Sequence, residues 1–447
     1  MKFSTCNLIA LLLAIFHYSI CFSQDWEPQA MGSLPTNYGV SGISVVDQNI
    51  VWAVAFDQSI DTEIPADHII KVLRTTDGGN HWKTFDVEEA RGRISFDIVA
   101  MDSTTAFITT QDFNSGIGRG IFKTKNGGST WTEKLKSAAG GVWIRFFDRN
   151  EGIAINRHLM AKTLDGGESW DLLPDAVIPT FHDNEYTPIA SGTNSCVVKG
   201  NHIWFGTSEG RIYHSDTRGS HWEVHQTSLG ERALITSVAF SDASNGLATD
   251  SNKPYNKFSI THDGGKTWND ITSVPNVSIG NIAHVPGTDS LIIATSDGFI
   301  RPQDRISAYS NDFGQNWTVN SEGMAFGGTE FIAPGIGWTS IQSFATGENA
   351  AMLKWVDQQL VGIDQQNRTD KITIHPNPTK DFLKIDDGSG TTFTYRIFMA
   401  NGTEIEHGIV RSDSESINLE AFKNGIYFLA MTTEDGLVIT RKIIKAN

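Results

Sequence analysis

The stretch TTDGGNHW (residues 75–82) has near-copies at TKNGGSTW (124–131), TLDGGESW (163–170), SDTRGSHW (215–222), THDGGKTW (261–268) and SNDFGQNW (310–317). One octapeptide pattern, Ser/Thr-x-Asp-x-Gly-x-x-Trp, is therefore written six times in one chain. Its closing tryptophans, Trp82, Trp131, Trp170, Trp222, Trp268 and Trp317, are 49, 39, 52, 46 and 49 residues apart. A period in the forties with several short strands per unit is the mark of a β-propeller blade.

Each unit reads alike. In the first, GISVVD, IVWAVAFD, IIKVLRT and WKTFDVE are four strands, with the octapeptide between the third and fourth. The second reads RISFDIVAMD, TAFITTQD, GIFKTK and WTEKLK, and the third VWIRFFD, GIAINR, LMAKTL and WDLL. Alternating apolar and polar residues suit strands packed between neighbouring blades. A seventh unit, FGGTEFIAP, GIGWTSIQ and AAMLKWVD, lacks a fourth strand, whereas Trp26-Glu-Pro-Gln begins with Trp as the other fourth strands do. The N-terminal strand is expected to complete the last blade, removing an exposed sheet edge.

A catalytic residue is needed once, whereas this pattern recurs and tolerates Asn126 and Thr217 where Asp is usual. The acid can accept backbone N–H groups of its own turn, the glycine permits positive φ, and the tryptophan can plug the gap beneath the hairpin. A structural role is read for Asp77, Gly79, Trp82, Asn126, Gly128, Trp131, Asp165, Gly167, Trp170, Gly219, Trp222, Asp263, Gly265, Trp268, Asp312, Gly314 and Trp317.

The pattern resembles the Asp-box, or bacterial neuraminidase repeat, of sialidases, sortilin-type receptors, xyloglucan-degrading glycosidases and the photosystem II assembly-factor propellers. IIKVLRTTDGGNHW after VWAVAFD looks most like the last of these. The resemblance covers residues 26–356 and implies a fold; it implies little about activity.

The chain has 447 residues, 39% hydrophobic, with 42 Gly and a formal net charge of −16, and no Lys/Arg run of the kind that phosphate contacts need. No nucleic-acid partner is expected. Residues 1–23, with Lys2 followed by an apolar run from Leu8 to about Ile20, read as a cleaved secretory signal peptide, too short for a membrane anchor. Ile20 before Cys21 argues against lipidation. Removing the signal takes the charge from −16 to −17 and leaves Cys196 as the sole thiol, read as a buried strand residue.

After Trp355 the Gln-rich stretch 357–370 reads as a linker, and residues 371–447 carry short alternating strands expected to form a small immunoglobulin-like β-sandwich. This segment closely resembles the type A C-terminal sorting domain of the type IX secretion system of Bacteroidetes. The matching positions are Pro376-Asn377-Pro378, Gly402, Gly425 and Tyr427, and the end RKIIK with Lys442. The resemblance implies recognition by the type IX secretion machinery and a secreted or cell-surface location.

The expected fold is all-β: a seven-bladed propeller over residues 24–356 followed by the sandwich. With the boxes on one face, the connections between second and third strands lie on the other, where acids and aromatics suit a glycan or peptide. The candidate rim is Asp61, Glu63, Asp67, Asp183, Glu185, Tyr186, Tyr255, Asp297, Arg301 and Asp304. No catalytic residue, metal or cofactor is assigned: loop 57–68 lacks the Gly turn and terminal Glu of an EF-hand, and VSGISVVD stands where sialidases carry Phe-Arg-Ile-Pro. The expected function is an exported, non-catalytic module that binds carbohydrate or an extracellular protein. The alternative is a secreted glycoside hydrolase using two rim carboxylates.

Overall fold

The computed structural model describes residues 26–60, 64–111, 120–136, 143–155, 160–174, 176–188, 194–250, 257–271, 279–296, 305–322, 326–341, 351–356, 372–388, 390–399, 404–433 and 438–446. The expected signal peptide, the expected linker 357–370 and the expected rim residues Asp61, Glu63, Tyr255, Asp297, Arg301 and Asp304 lie outside them, as does Gly402.

Seven four-stranded antiparallel sheets follow one another along the chain up to Trp355. Blade 1 is Tyr38–Val45, Val51–Asp57, Lys71–Thr75 and Lys83–Asp86, hydrogen-bonded in that order. The first strands of blades 2 to 7 are Ile94–Ala100, Trp143–Phe146, Cys196–Lys199, Ile235–Phe240, Asn281–His284 and Phe326–Ala333. Each adjoins the next around the axis, and the last adjoins Tyr38–Val45, so the ring is closed with these seven strands innermost. Hydroxyl groups lace them together: Ser41 Oγ donates to the Ser95 carbonyl at 2.7 Å and Ser195 Oγ to that of Thr236 at 2.8 Å.

The seventh blade is built from both ends of the propeller. Trp26–Gln29 pairs antiparallel with Met352–Trp355, Trp26 opposite Trp355, and supplies the missing fourth strand. The Trp26 indole donates to Ser307 Oγ of blade 6 at 3.2 Å. It occupies the place that the box tryptophans hold elsewhere.

The octapeptides are joints between blades. In the first, Thr75 Oγ1 accepts the Gly79 N–H (3.0 Å) and donates to Asp77 Oδ1 (2.9 Å), which also accepts the His81 N–H (2.9 Å). Asn126 and Thr217 reproduce the bond to the residue four places on, through Thr130 N and His221 N. This explains why a carboxylate is dispensable there. Gly79 has φ +95°, and a Cβ on it would meet Trp338 of blade 7 at 2.6 Å. On Gly167 it would meet Phe107 of blade 2 at 2.4 Å. The tryptophans pack likewise: Trp131 joins a cluster with Trp52 of blade 1, Trp170 one with Phe107, and Trp268 one with Trp204 of blade 4. The gap each fills is thus between blades as well as beneath its own hairpin. The fourth residue of the box also takes positive φ, at Arg218 (+54°) and Phe313 (+58°) without glycine.

Residues from Ile372 on form a separate two-sheet sandwich. One sheet pairs Thr373–His375, Phe382–Asp386 and Ser416–Asn418; the other orders Glu404–Arg411, Thr392–Met399, Gly425–Thr433 and Val438–Lys445. Leu383, Ile385, Phe393, Ile397, Leu429, Met431 and Ile443 fill the space between them. No helix among the described residues is long and apolar enough to cross a membrane.

Candidate functional site: the central channel

The inner strands enclose a cavity of about 560 Å³. Its walls carry aromatic rings (Phe96, Trp143, Phe147, Phe240, Phe331) and charged side chains: Asp97, Arg145 and Glu330 inside the inner strands, and Asp148, Arg149 and Lys199 at or beyond their ends. Asp97, Arg145 and Glu330 are each the lone charge in an otherwise uncharged first strand, which is the signal that sequence reading passed over.

Arg145 Nη1 donates to both Asp97 oxygens, at 3.2 and 2.9 Å, and its Nε donates to the Cys196 carbonyl at 3.1 Å. Asp97 also accepts the Ile144 N–H at 2.8 Å. Burial pushes the Asp97 carboxyl upward against the pull of Arg145, while the arginine keeps its charge. The pair satisfies itself.

Glu330 is different. One oxygen accepts the Val45 N–H at 3.0 Å, and no ion pair forms to it among the described residues. Protein surrounds it, yet part of its surface faces the lumen. Desolvation raises its pKa to about 7, against the pull of the Val45 N–H and Arg145 and with the push of Asp97. A carboxyl held well above the ordinary carboxylate range thus faces an open cavity.

At the end where the inner strands begin, Asn194 Nδ2 donates to the carbonyls of Thr329 (2.7 Å) and Ile282 (3.1 Å), lacing blade 4 to blades 6 and 7. At the other end the cavity reaches Met101, Phe147, Arg149 and Pro286, beyond the ends of the inner strands, on the face that carries the boxes. Lys199 and His284 stand there; burial lowers both, His284 to about 4. Cys196 also lines the cavity, but desolvation pushes its thiol up to about 12, so it stays protonated and inert.

The described part of the expected rim is not assembled into one site. Asp183, Glu185 and Tyr186 share a turn held against blade 4, where Ser208 Oγ accepts the Tyr186 N–H at 3.0 Å. Asp183 and Tyr186 are exposed, whereas Glu185 is wholly buried, its carboxylate taken by Arg211 Nε (2.9 Å), Thr207 Oγ1 (2.6 Å) and the His182 N–H (2.8 Å). Glu185 holds that turn in place. Asp67 is exposed in the blade 1 connection, across the ring from them. No cluster of metal-ligating side chains occurs among the described residues.

In the sandwich, the motif residues meet. The Asn377 amide donates to the Lys442 carbonyl (2.7 Å) and accepts the Ile444 N–H (2.9 Å), fastening the Pro-Asn-Pro turn to the last strand. Tyr427 is buried, its hydroxyl donating to the Lys423 carbonyl at 2.8 Å.

Comparison with known proteins agrees with both halves. Residues 373–446 match the family described as the secretion system C-terminal sorting domain. YCF48 bound to D1 peptide is 15% identical, with a TM-score of 0.52 over 74% of this chain and 97% of that one. YCF48 from Cyanidioschyzon merolae is 18% identical, again with a TM-score of 0.52, over 74% of this chain and 99% of that one. These likenesses concern the fold alone. No curated protein matches the chain in sequence. The chain is accordingly a seven-bladed β-propeller followed by a C-terminal sorting domain of the type IX secretion system, which sends it to the cell surface or the medium.

Proposed function

We propose that the protein is an exported, non-catalytic binding module for a carbohydrate or an extracellular protein segment, with a polar group of the ligand entering the central channel from the box face. The observation that carries this reading is Glu330: an enclosed carboxyl facing a cavity of about 560 Å³ without an ion-pair partner among the described residues. Burying a carboxyl without a full set of partners is unfavourable, so a ligand hydroxyl or ammonium that reaches it gains a charge-assisted hydrogen bond. The aromatic rings around it supply stacking area. The peptide bound to YCF48 accords with a propeller of this fold receiving a peptide.

Glycoside hydrolysis needs two carboxyl groups facing each other across a sugar. Among the described lumen residues Asp97 is committed to Arg145 and Asp148 to Arg218, leaving Glu330 alone. The test is a screen of polysaccharides and extracellular peptides scored for binding and for release of reducing sugar, run on the wild type and Glu330→Gln. Binding without sugar release, weakened in a variant that melts normally, is the expected result. A ligand held equally well by both proteins sinks the channel assignment, and sugar release that vanishes in the variant replaces it with catalysis.

A further inference from the structure

The outer corner of blade 2 is charged opposite to the rest of this acidic protein. Lys123 and Lys125 lie two residues apart on the third strand and its box, and Lys134 lies on the fourth strand. Lys123 is opposite Thr132 in the ladder, and Lys134 is the unpaired residue at the register shift between Glu133 and Leu135. Their ammonium groups converge on a single carboxylate from the box of blade 3: Lys123 and Lys125 reach Glu168 Oε1 at 2.5 and 2.6 Å, and Lys134 reaches Oε2 at 2.8 Å. Three cations on one anion leave an excess of two positive charges. The cluster pulls the Glu168 pKa down to about 2, so the carboxylate holds its charge at any ordinary pH.

Beside it is a hollow of about 240 Å³ lined by the three lysines, Asn126, Thr130 and Thr132. Among the described residues every lining side chain can donate a hydrogen bond, and none is a carboxylate. Asn126 matters here, because this box position is an acid in Asp77, Asp165, Asp263 and Asp312. A carboxylate there would cancel part of the excess charge and repel an anion.

The other blades serve as internal controls. Where blade 2 has Lys123, Lys125 and Lys134, blade 1 has Arg74, Thr76 and Phe85; blade 3 has Lys162, Leu164 and Leu173; and blade 5 has Ile260, His262 and Ile271. The box scaffold therefore does not require the triple lysine. Lys123 itself is buried, donates to the Gly166 carbonyl (2.7 Å) and lies over the Phe107 ring, which fixes one corner of the cluster rigidly.

We propose that this hollow is an oxyanion site taking a sulfate or phosphate group, free or borne on an extracellular polymer. The anion shares the Lys125 and Lys134 ammonium groups with Glu168 and neutralises the excess charge, while Asn126, Thr130 and Thr132 complete its hydrogen bonds. The site lies on the outside of the ring and is independent of the channel.

The test uses the whole secreted protein, titrated with inorganic sulfate, inorganic phosphate, dextran sulfate and uncharged dextran. Binding of an inorganic anion as tight as that of the polymer assigns a free ion, and tighter binding of dextran sulfate assigns a polymer-borne group; either outcome supports the site. Lys125→Gln combined with Lys134→Gln should weaken anion binding by about tenfold or more, and added salt should weaken it in the wild type. Lys125→Gln alone, at a side chain 63% exposed, should lose several-fold without any change in melting. The proposal is overturned if none of the anions binds, or if the single variant binds them as the wild type does.

Discussion

Trp26 lies edge-on against Trp355, with ring centroids 4.9 Å apart and planes at 83°, so the first strand of the propeller is held by its last. Both rings are buried with Phe326, Phe331 and Ile293 in the joint between blades 6 and 7. Trp26→Ala should lower stability by about 3–5 kcal/mol, as expected for a buried aromatic. Removing residues 24–31 should go further, exposing the edge of Met352–Trp355 and causing aggregation. Thermal melts and light scattering check both, and a shortened chain that melts like the whole one contradicts closure through this strand.

The box residues should behave as joints. Trp170→Ala is expected to cost roughly 3–5 kcal/mol by opening a cavity between blades 2 and 3. Gly167→Ala should also destabilise, since the new Cβ would meet Phe107 at 2.4 Å on a backbone with φ +75°. Neither should abolish ligand binding selectively in protein that remains folded. A variant with native melting and no binding would show that the boxes do more than join blades.

Glu330 makes stability depend on pH in a direction opposite to that of an ion-paired acid. Its folded pKa is near 7 against an ordinary 4.5, so between these values the folded state holds more protons than the unfolded one. The stabilising contribution is complete below about pH 4.5 and is lost as pH rises through 7. In Glu330→Gln this loss disappears, and at pH 8 the variant should be the more stable by about 2–3 kcal/mol. Denaturant melts of both proteins at pH 5 and pH 8 measure the difference. Equal wild-type-minus-variant differences at the two pH values contradict an enclosed, lumen-facing acid.

Asn377 joins the start of the sorting domain to its end, and Asn377→Ala should lower that domain's stability by about 1–3 kcal/mol through two lost hydrogen bonds. The check is a melt of the whole chain compared with that of the variant, together with the fraction exported.

A chain ended at Asp370 should keep a folded propeller yet stay in the periplasm of a host with the type IX system. Residues 371–447 behind a signal peptide and a soluble reporter should carry the reporter out. Fractionation of intact cells decides between these outcomes, and full-length levels of the shortened protein outside the cell would refute the tail's role.

The sequence alone determined the ring and the tail, because both rest on local patterns that recur or keep their order. Each octapeptide closes its own turn through a hydroxyl, an acid or its substitute, and a glycine within eight residues, so the blades and the closing strand at Trp26 could be read from spacing. Pro376, Asn377, Tyr427 and Lys442 were likewise legible as a motif, although only the fold shows Asn377 bonded across to Lys442 and Ile444. The channel was not legible. Asp97, Arg145 and Glu330 stand on blades 2, 3 and 7, and no spacing along the chain reveals that the ring turns all three toward one axis. Glu185 shows the same limit, since sequence could place it in a surface loop but only folding brings Arg211 to cover it. The three lysines around Glu168 are also brought together by blade packing, with the acid coming from the neighbouring blade. Turn chemistry acts over a few residues and is written in order, whereas charge burial depends on which strands the closed ring makes neighbours.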